Sequence, residues 1–136
     1  MDFKLSLKRS LNHWTEPIGG VKFKLKYPSI EQGKKIEGLD IESFKYTFYQ
    51  DGNETKAKLE SIDSMKYLEL KRYCIKVWIE DWEGMTENEQ PVKCELENNE
   101  LKNDLWWGLV QDIKLTDLLF EAFKKEIEFS NTDKKK

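Results

Sequence analysis

The sequence predicts an α+β fold: an N-terminal β-hairpin or strand pair packed on a mostly helical body, with one long central helix and a C-terminal helical pair. Three observations predict it. Apolar residues alternate with polar ones at Phe3, Leu5, Leu7 and again at Val21, Phe23, Leu25, Tyr27, the period of a half-buried strand. From Glu54 to Trp82 no Gly or Pro interrupts a chain with apolar residues at Ile62, Met65, Leu70, Cys74, Val77 and Trp78. Beyond Asn98, apolar residues recur at helical spacing to Ile127.

The first strand carries Lys4, Ser6 and Lys8 between its apolar residues, and the second carries Lys22, Lys24 and Lys26. Glu16-Pro17-Ile18-Gly19-Gly20 separates the two and is rich in turn formers. Pro28 then stops the second strand, and Ser29 is placed to cap a short helix from Ile30, with Glu31 and Gln32 in its first turn. Gly33 and Gly38 weaken that helix. Asp40 to Gln50 fits a helix through Ile41, Phe44 and Phe48, and a strand through Phe44, Tyr46 and Phe48; the helix is the expectation taken forward. Asp51-Gly52-Asn53 reads as a turn.

The long helix is expected to run to Trp82, with Gly84 supplying the left-handed residue after its end. Met85 to Pro91 reads as a polar loop and Val92 to Leu96 as a short extended piece. Asn98 or Asn99 is expected to cap a helix carrying Leu101, Leu105 and Leu109. Thr116 is expected to cap another, with Leu119, Phe120, Phe123 and Ile127 on its buried face.

At 136 residues the chain has the length of one domain, expected over residues 1–129 with a charged, frayed tail over 130–136. Charged residues are 36% and hydrophobic ones 38%, so the surface must be strongly ionic. Five Trp, five Tyr and seven Phe supply core area and argue against disorder. Net charge is −3, too mild to point to nucleic acid or a membrane surface. Its distribution is uneven. Met1 to Lys35 holds eight Lys and Arg against three acids, whereas Glu80 to Asp104 holds nine acids against two lysines. Two readings follow: the segments attract each other within one molecule, or they join copies head to tail into a homo-oligomer, with Lys22, Lys24 and Lys26 facing Glu95 and Glu97.

Met1-Asp2-Phe3 lacks the basic start and apolar stretch of a signal peptide, and no segment approaches the ~20 apolar residues of a membrane span. Cys74 and Cys94 are therefore expected to be free thiols in a cytoplasmic protein.

The residues offer little chemistry. His13 is the lone histidine and has no implied partner that would make it a general base. Neither cysteine belongs to a zinc-type cluster, and Gly19-Gly20 has no strand-then-helix context for phosphate. Glu80-Asp81 and Glu95-x-Glu97 are ordinary in so acidic a chain, and Asp51-Gly52-Asn53-Glu54 lacks the downstream Glu of a calcium loop. The basic strands carry no aromatic platform for RNA. No catalysis, metal, cofactor, nucleic acid or membrane is expected.

Tryptophan is the feature left over. Trp78 and Trp82 fall four apart on the expected helix, hence on one face, and Trp106 and Trp107 are adjacent. One of each pair is expected in the core and the other at a partner interface, where Trp is enriched; the alternative is that all four fill the core.

The order of these features resembles the tail assembly chaperones of long-tailed bacteriophages. Phe23-Lys24-Leu25-Lys26-Tyr27-Pro28-Ser29-Ile30-Glu31-Gln32 is similar to their strand-proline-helix entry. Val77-Trp78-Ile79-Glu80-Asp81-Trp82-Glu83-Gly84-Met85, followed by Pro91-Val92, resembles their Asp-Trp-x-Gly junction. Glu97-Asn98-Asn99 resembles the opening of their C-terminal helical pair, which ends here in lysines. Tyr46 to Lys58 matches no part of that pattern. The resemblance implies a protein that coats the tape-measure protein in the host cytoplasm, shields its hydrophobic helices, helps recruit the tail-tube protein and is absent from the finished virion. A minor tail or neck component of the virion and a small inhibitor of a host protein are the competing readings.

Overall fold

In a computed structural model of the chain, residues 10–134 are described, with side chains over 14–127. The elements in order are β1 (Ser10–Trp14), β2 (Lys22–Lys26), α1 (Ile30–Ser43), β3 (Phe44–Asp51), β4 (Glu54–Ile62), α2 (Ser64–Trp78), β5 (Ile79–Glu83), β6 (Thr86–Glu87), β7 (Gln90–Pro91), β8 (Leu96–Glu97), β9 (Glu100–Leu101), α3 (Asn103–Val110) and α4 (Ile113–Lys134). This is an α+β fold, as the periodicities predict. The strand expected at Phe3–Leu7 lies outside the described residues, as do the side chains of His13 and of the 130–136 tail.

The alternation at Val21–Tyr27 forms β2, the middle strand of the antiparallel sheet β1-β2-β5. Its Phe23 and Leu25 point inward and are fully buried. Phe23 sits opposite Trp82 of β5 and meets Trp82 and Phe123 edge to face, with centroids 6.4 and 5.1 Å away. Ser29 caps α1 in a reciprocal box: its Oγ accepts from the Gln32 backbone N–H at 3.2 Å, and Gln32 Oε1 accepts from the Ser29 N–H at 2.9 Å. That box starts a helix of 14 residues despite Gly33 and Gly38.

The ambiguous segment resolves against the expected helix. α1 stops at Ser43, and the strand pattern of Phe44, Tyr46 and Phe48 prevails. Glu54–Trp82 is likewise not one helix. Its first part pairs with β3 across the turn at Gly52, which adopts φ +66. Asp63 then opens α2, its Oδ1 accepting from the Met65 and Lys66 N–H groups at 3.1 Å each. Ile79–Glu83 leaves the helix to complete the sheet. The longest helix is α4, with 22 residues.

Gly84 accordingly ends a strand, not a helix. Its φ is +91, and a Cβ there would lie 2.6 Å from the Gly20 carbonyl oxygen. Met85–Pro91 contains the tight hairpin β6-β7, turning through Asn88 and Glu89. Asn98 and Asn99 do not cap a helix. With φ of 54 and 63 they form the two-residue turn between β8 and β9, where two left-handed residues match the strand twist. Of the extended piece expected at Val92–Leu96, only Leu96 is in a strand. Thr116 lies inside α4; Asp112 is the cap, its Oδ1 accepting from the Lys114 and Leu115 N–H groups at 2.9 and 3.3 Å. Thr116 is buried, and its hydroxyl lies 3.0 Å from the Val110 carbonyl.

The core forms around α2. Leu70, Cys74, Ile75, Val77 and Trp78 pack with Leu39 of α1, Phe23 and Leu25 of the sheet, Leu101, and Leu119, Phe120, Phe123 and Ile127 of α4. The expected buried face of α4 is the observed one.

Candidate functional site

A groove of about 470 Å³ opens between α1, the outer face of α2, and α3. α3 builds its wall. Successive residues on a helix diverge by about 100°, so Trp106 and Trp107 take different surroundings. Trp106 is half-buried, and its Nε1 donates to the Arg72 carbonyl at 2.7 Å. Trp107 stays 50% exposed at the groove mouth. Met65, 74% exposed, stands at the end where α2 begins.

Cations cover the aromatic faces. Lys35 Nζ lies 4.4 Å from the Tyr73 ring centre, Lys76 Nζ lies 4.6 Å from that of Trp106, and the Arg72 guanidinium lies 5.6 Å from that of Trp107. Arg72 is fixed by Nε, which donates to the Val110 carbonyl at 3.0 Å. Lys76 also reaches Glu100 at 3.4 Å. Burial, helped by Glu100 and Cys74, raises the Tyr73 hydroxyl pKa above its ordinary value. The groove thus has an apolar floor and ordered charge along its rim.

The other tryptophans do not serve this surface. Trp78 closes α2 and is buried, stacked on Phe120 at 5.7 Å and 16°. Trp82 is buried in β5, with its Nε1 donating to the Val92 carbonyl at 2.7 Å. The expectation of one core and one interface ring per pair therefore fails for Trp78 and Trp82, because the helix that would have aligned them ends between them. Trp106 and Trp107 differ in exposure, Trp106 being partly buried against the core and Trp107 half exposed.

The charged residues expected to join copies are mostly engaged within the chain. Lys24 Nζ is 4.0 Å from Glu80, and Lys26 is buried with Nζ 3.0 Å from the Asn99 carbonyl oxygen. Lys22 is exposed and sits opposite Glu83 in the sheet. Glu95 pairs with Lys102 at 3.4 Å, and Glu97 is exposed in β8. Between the early basic segment and the late acidic one, the β2–β5 ladder brings Lys24 to Glu80 and sets Lys22 opposite Glu83.

Both cysteines are free. Burial pushes the Cys74 thiol up to about 12, with Asp40 adding to it. Burial followed by Asp81 and Glu95 does the same for Cys94, also to about 12. Neither is a thiolate nucleophile near neutrality. Among the described residues no group of three or more His, Cys, Asp or Glu could hold a metal ion, and no helix is long and apolar enough to cross a membrane.

One surface escaped the sequence reading. β3 and β4 form a two-stranded arm in which every residue from Lys45 to Ile62 is exposed. Cross-strand partners place Tyr46 with Leu59 and Phe48 with Ala57 on one face. The signal was present: alternating aromatics followed by Asp-Gly-Asn mark a hairpin.

The chain matches no protein family, no curated protein and no solved structure.

Proposed function

We propose that this chain is a protein-binding assembly factor, a tail assembly chaperone of the kind its motif order resembles, and that the α1–α2–α3 groove receives an amphipathic helix of its client. The observation that carries the reading is Trp107. A ring half exposed beside an open groove, with Met65 at the other end, is an anchor set suited to the apolar face of a helix. The rim charges of Lys35, Lys66 and Glu69 suit the polar flanks of such a helix. The client that the resemblance implies is the tape-measure protein, held soluble in the host cytoplasm while tail-tube subunits arrive.

Co-expression with the tape-measure protein of the same phage tests the function. Copurification and a soluble client are the expected result; a client that stays insoluble and unbound overturns the chaperone reading. Trp107→Ala should raise the dissociation constant about 30-fold or more, the scale of a central aromatic anchor. Unchanged affinity would leave the function standing and remove the groove from it. Stoichiometric recovery of the chain in purified virions would mark a structural component instead.

A further inference from the structure

The arm formed by β3 and β4 is a separate surface from the groove, and its composition names its own occupant. A lone two-stranded ribbon is marginally stable in water. This one extends about 27 Å at the rise of an antiparallel strand. Its apolar face carries Tyr46, Phe48 and Leu59, all exposed, Phe48 at 70%. Among the described residues the sheet contains only β3 and β4, and the outer edges of both strands meet no other described strand.

We propose that β3 pairs antiparallel with β3 of a second copy about a two-fold axis through Phe48, joining two arms into one four-stranded sheet. The charges select this register. Pairing about Phe48 sets Lys45 opposite Asp51 of the other copy at both ends of the strand. It sets Thr47 opposite Tyr49, Tyr46 opposite Gln50, and Phe48 opposite itself. The register keeps both apolar faces on the same side, because partners that face each other share a face of the sheet. Asp51 already holds Lys56 of its own arm at 2.6 Å, so the incoming Lys45 would extend an existing ion pair. The β4 edge lacks this complementarity. Pairing about Ala57 opposes Lys56 to Lys58 and Glu54 to Glu60, and pairing about Lys58 opposes that lysine to its own copy. Like charges directly opposite are unfavourable.

Two variants of the full chain test the register without depending on the groove. Lys45→Asp and Asp51→Lys each place like charges at both ends of the pairing, and each alone should weaken dimerisation at least about tenfold in analytical ultracentrifugation. Mixed at equal concentration, they restore both attractions and should give a heterodimer as tight as the parent dimer. Phe48→Cys should cross-link to itself under mild oxidation, since its two copies face each other at a distance a disulfide spans; Lys58→Cys, on the other edge, should not. A parent chain that stays monomeric at high concentration overturns the proposal. So do single variants that dimerise like the parent, a mixture that does not dimerise, or cross-linking through Lys58→Cys in place of Phe48→Cys.

Discussion

Lys26 reaches across 73 residues of sequence to place its Nζ 3.0 Å from the backbone oxygen of Asn99. Gln32 Nε2 donates to the same oxygen at 3.0 Å. The β8-β9 turn is thereby tied to the end of β2 and the start of α1. A lysine that the strand pattern assigns to the solvent face is instead a structural bolt. Lys26→Ala should lower stability to urea by about 1–3 kcal/mol, the scale of a lost charged hydrogen bond. Lys22→Ala, exposed on the same strand, should stay within about 0.5 kcal/mol of the parent.

Two glycines separate backbone need from tolerance. Gly84→Ala forces a Cβ onto the Gly20 carbonyl at a φ of +91, and should cost at least about 2 kcal/mol. Gly38→Ala, in the middle of α1 with open space around it, should stabilise by about 0.4–1 kcal/mol through helix propensity and a less disordered unfolded chain. Thermal unfolding of the two variants reads both signs.

The tryptophans should divide the same way. Trp78→Ala removes a buried ring stacked on Phe120 and should cost about 3–5 kcal/mol. Trp107→Ala should change stability far less, its effect appearing in client binding. If Trp107→Ala unfolds the chain as readily as Trp78→Ala, its ring is structural and the groove loses its anchor.

Alkaline pH should weaken the fold through its thiols. Both cysteines titrate at about 12 when folded, against an ordinary value of 9.0. The unfolded chain releases these protons first, so the folding equilibrium loses stability as pH rises from about 9 towards 12. Below 9 the contribution is fully present. Denaturation midpoints measured across that range should fall, and Cys74→Ala should flatten part of the decline. A thiol reagent should label the native chain slowly at pH 7 and rapidly after unfolding.

The readable parts of this fold were those whose signal is local. Ser29 and Gln32 sit three apart and cap α1 as their spacing suggests, and Val21–Tyr27 alternates because its two faces differ. Glu54–Ile62 misled because it contains Ala, Lys, Glu and Leu, all compatible with a helix, and no Gly or Pro. Nothing within the segment declares a strand; the ladder to β3 does. Asp63 was the overlooked marker, a cap standing inside what read as one helix. For the groove, the sequence singles out adjacent Trp106 and Trp107, but the cations over their rings, Lys76 and Arg72, come from α2, and no sequence spacing connects them.

At the root of the arm, α1 passes into β3 without an intervening residue, and the Asp63 N–H donates to the Ser43 carbonyl at 2.8 Å, clamping both strands where they leave the body. Ser43 is itself buried, its hydroxyl bonded to the Leu39 carbonyl at 2.7 Å. The arm is therefore tied to the body through both strands at its root. A second copy docking on it meets strands whose starting direction is already set, which trims the conformational entropy lost on docking. Differences among arm variants should appear in how long the complex lasts more than in how fast it forms.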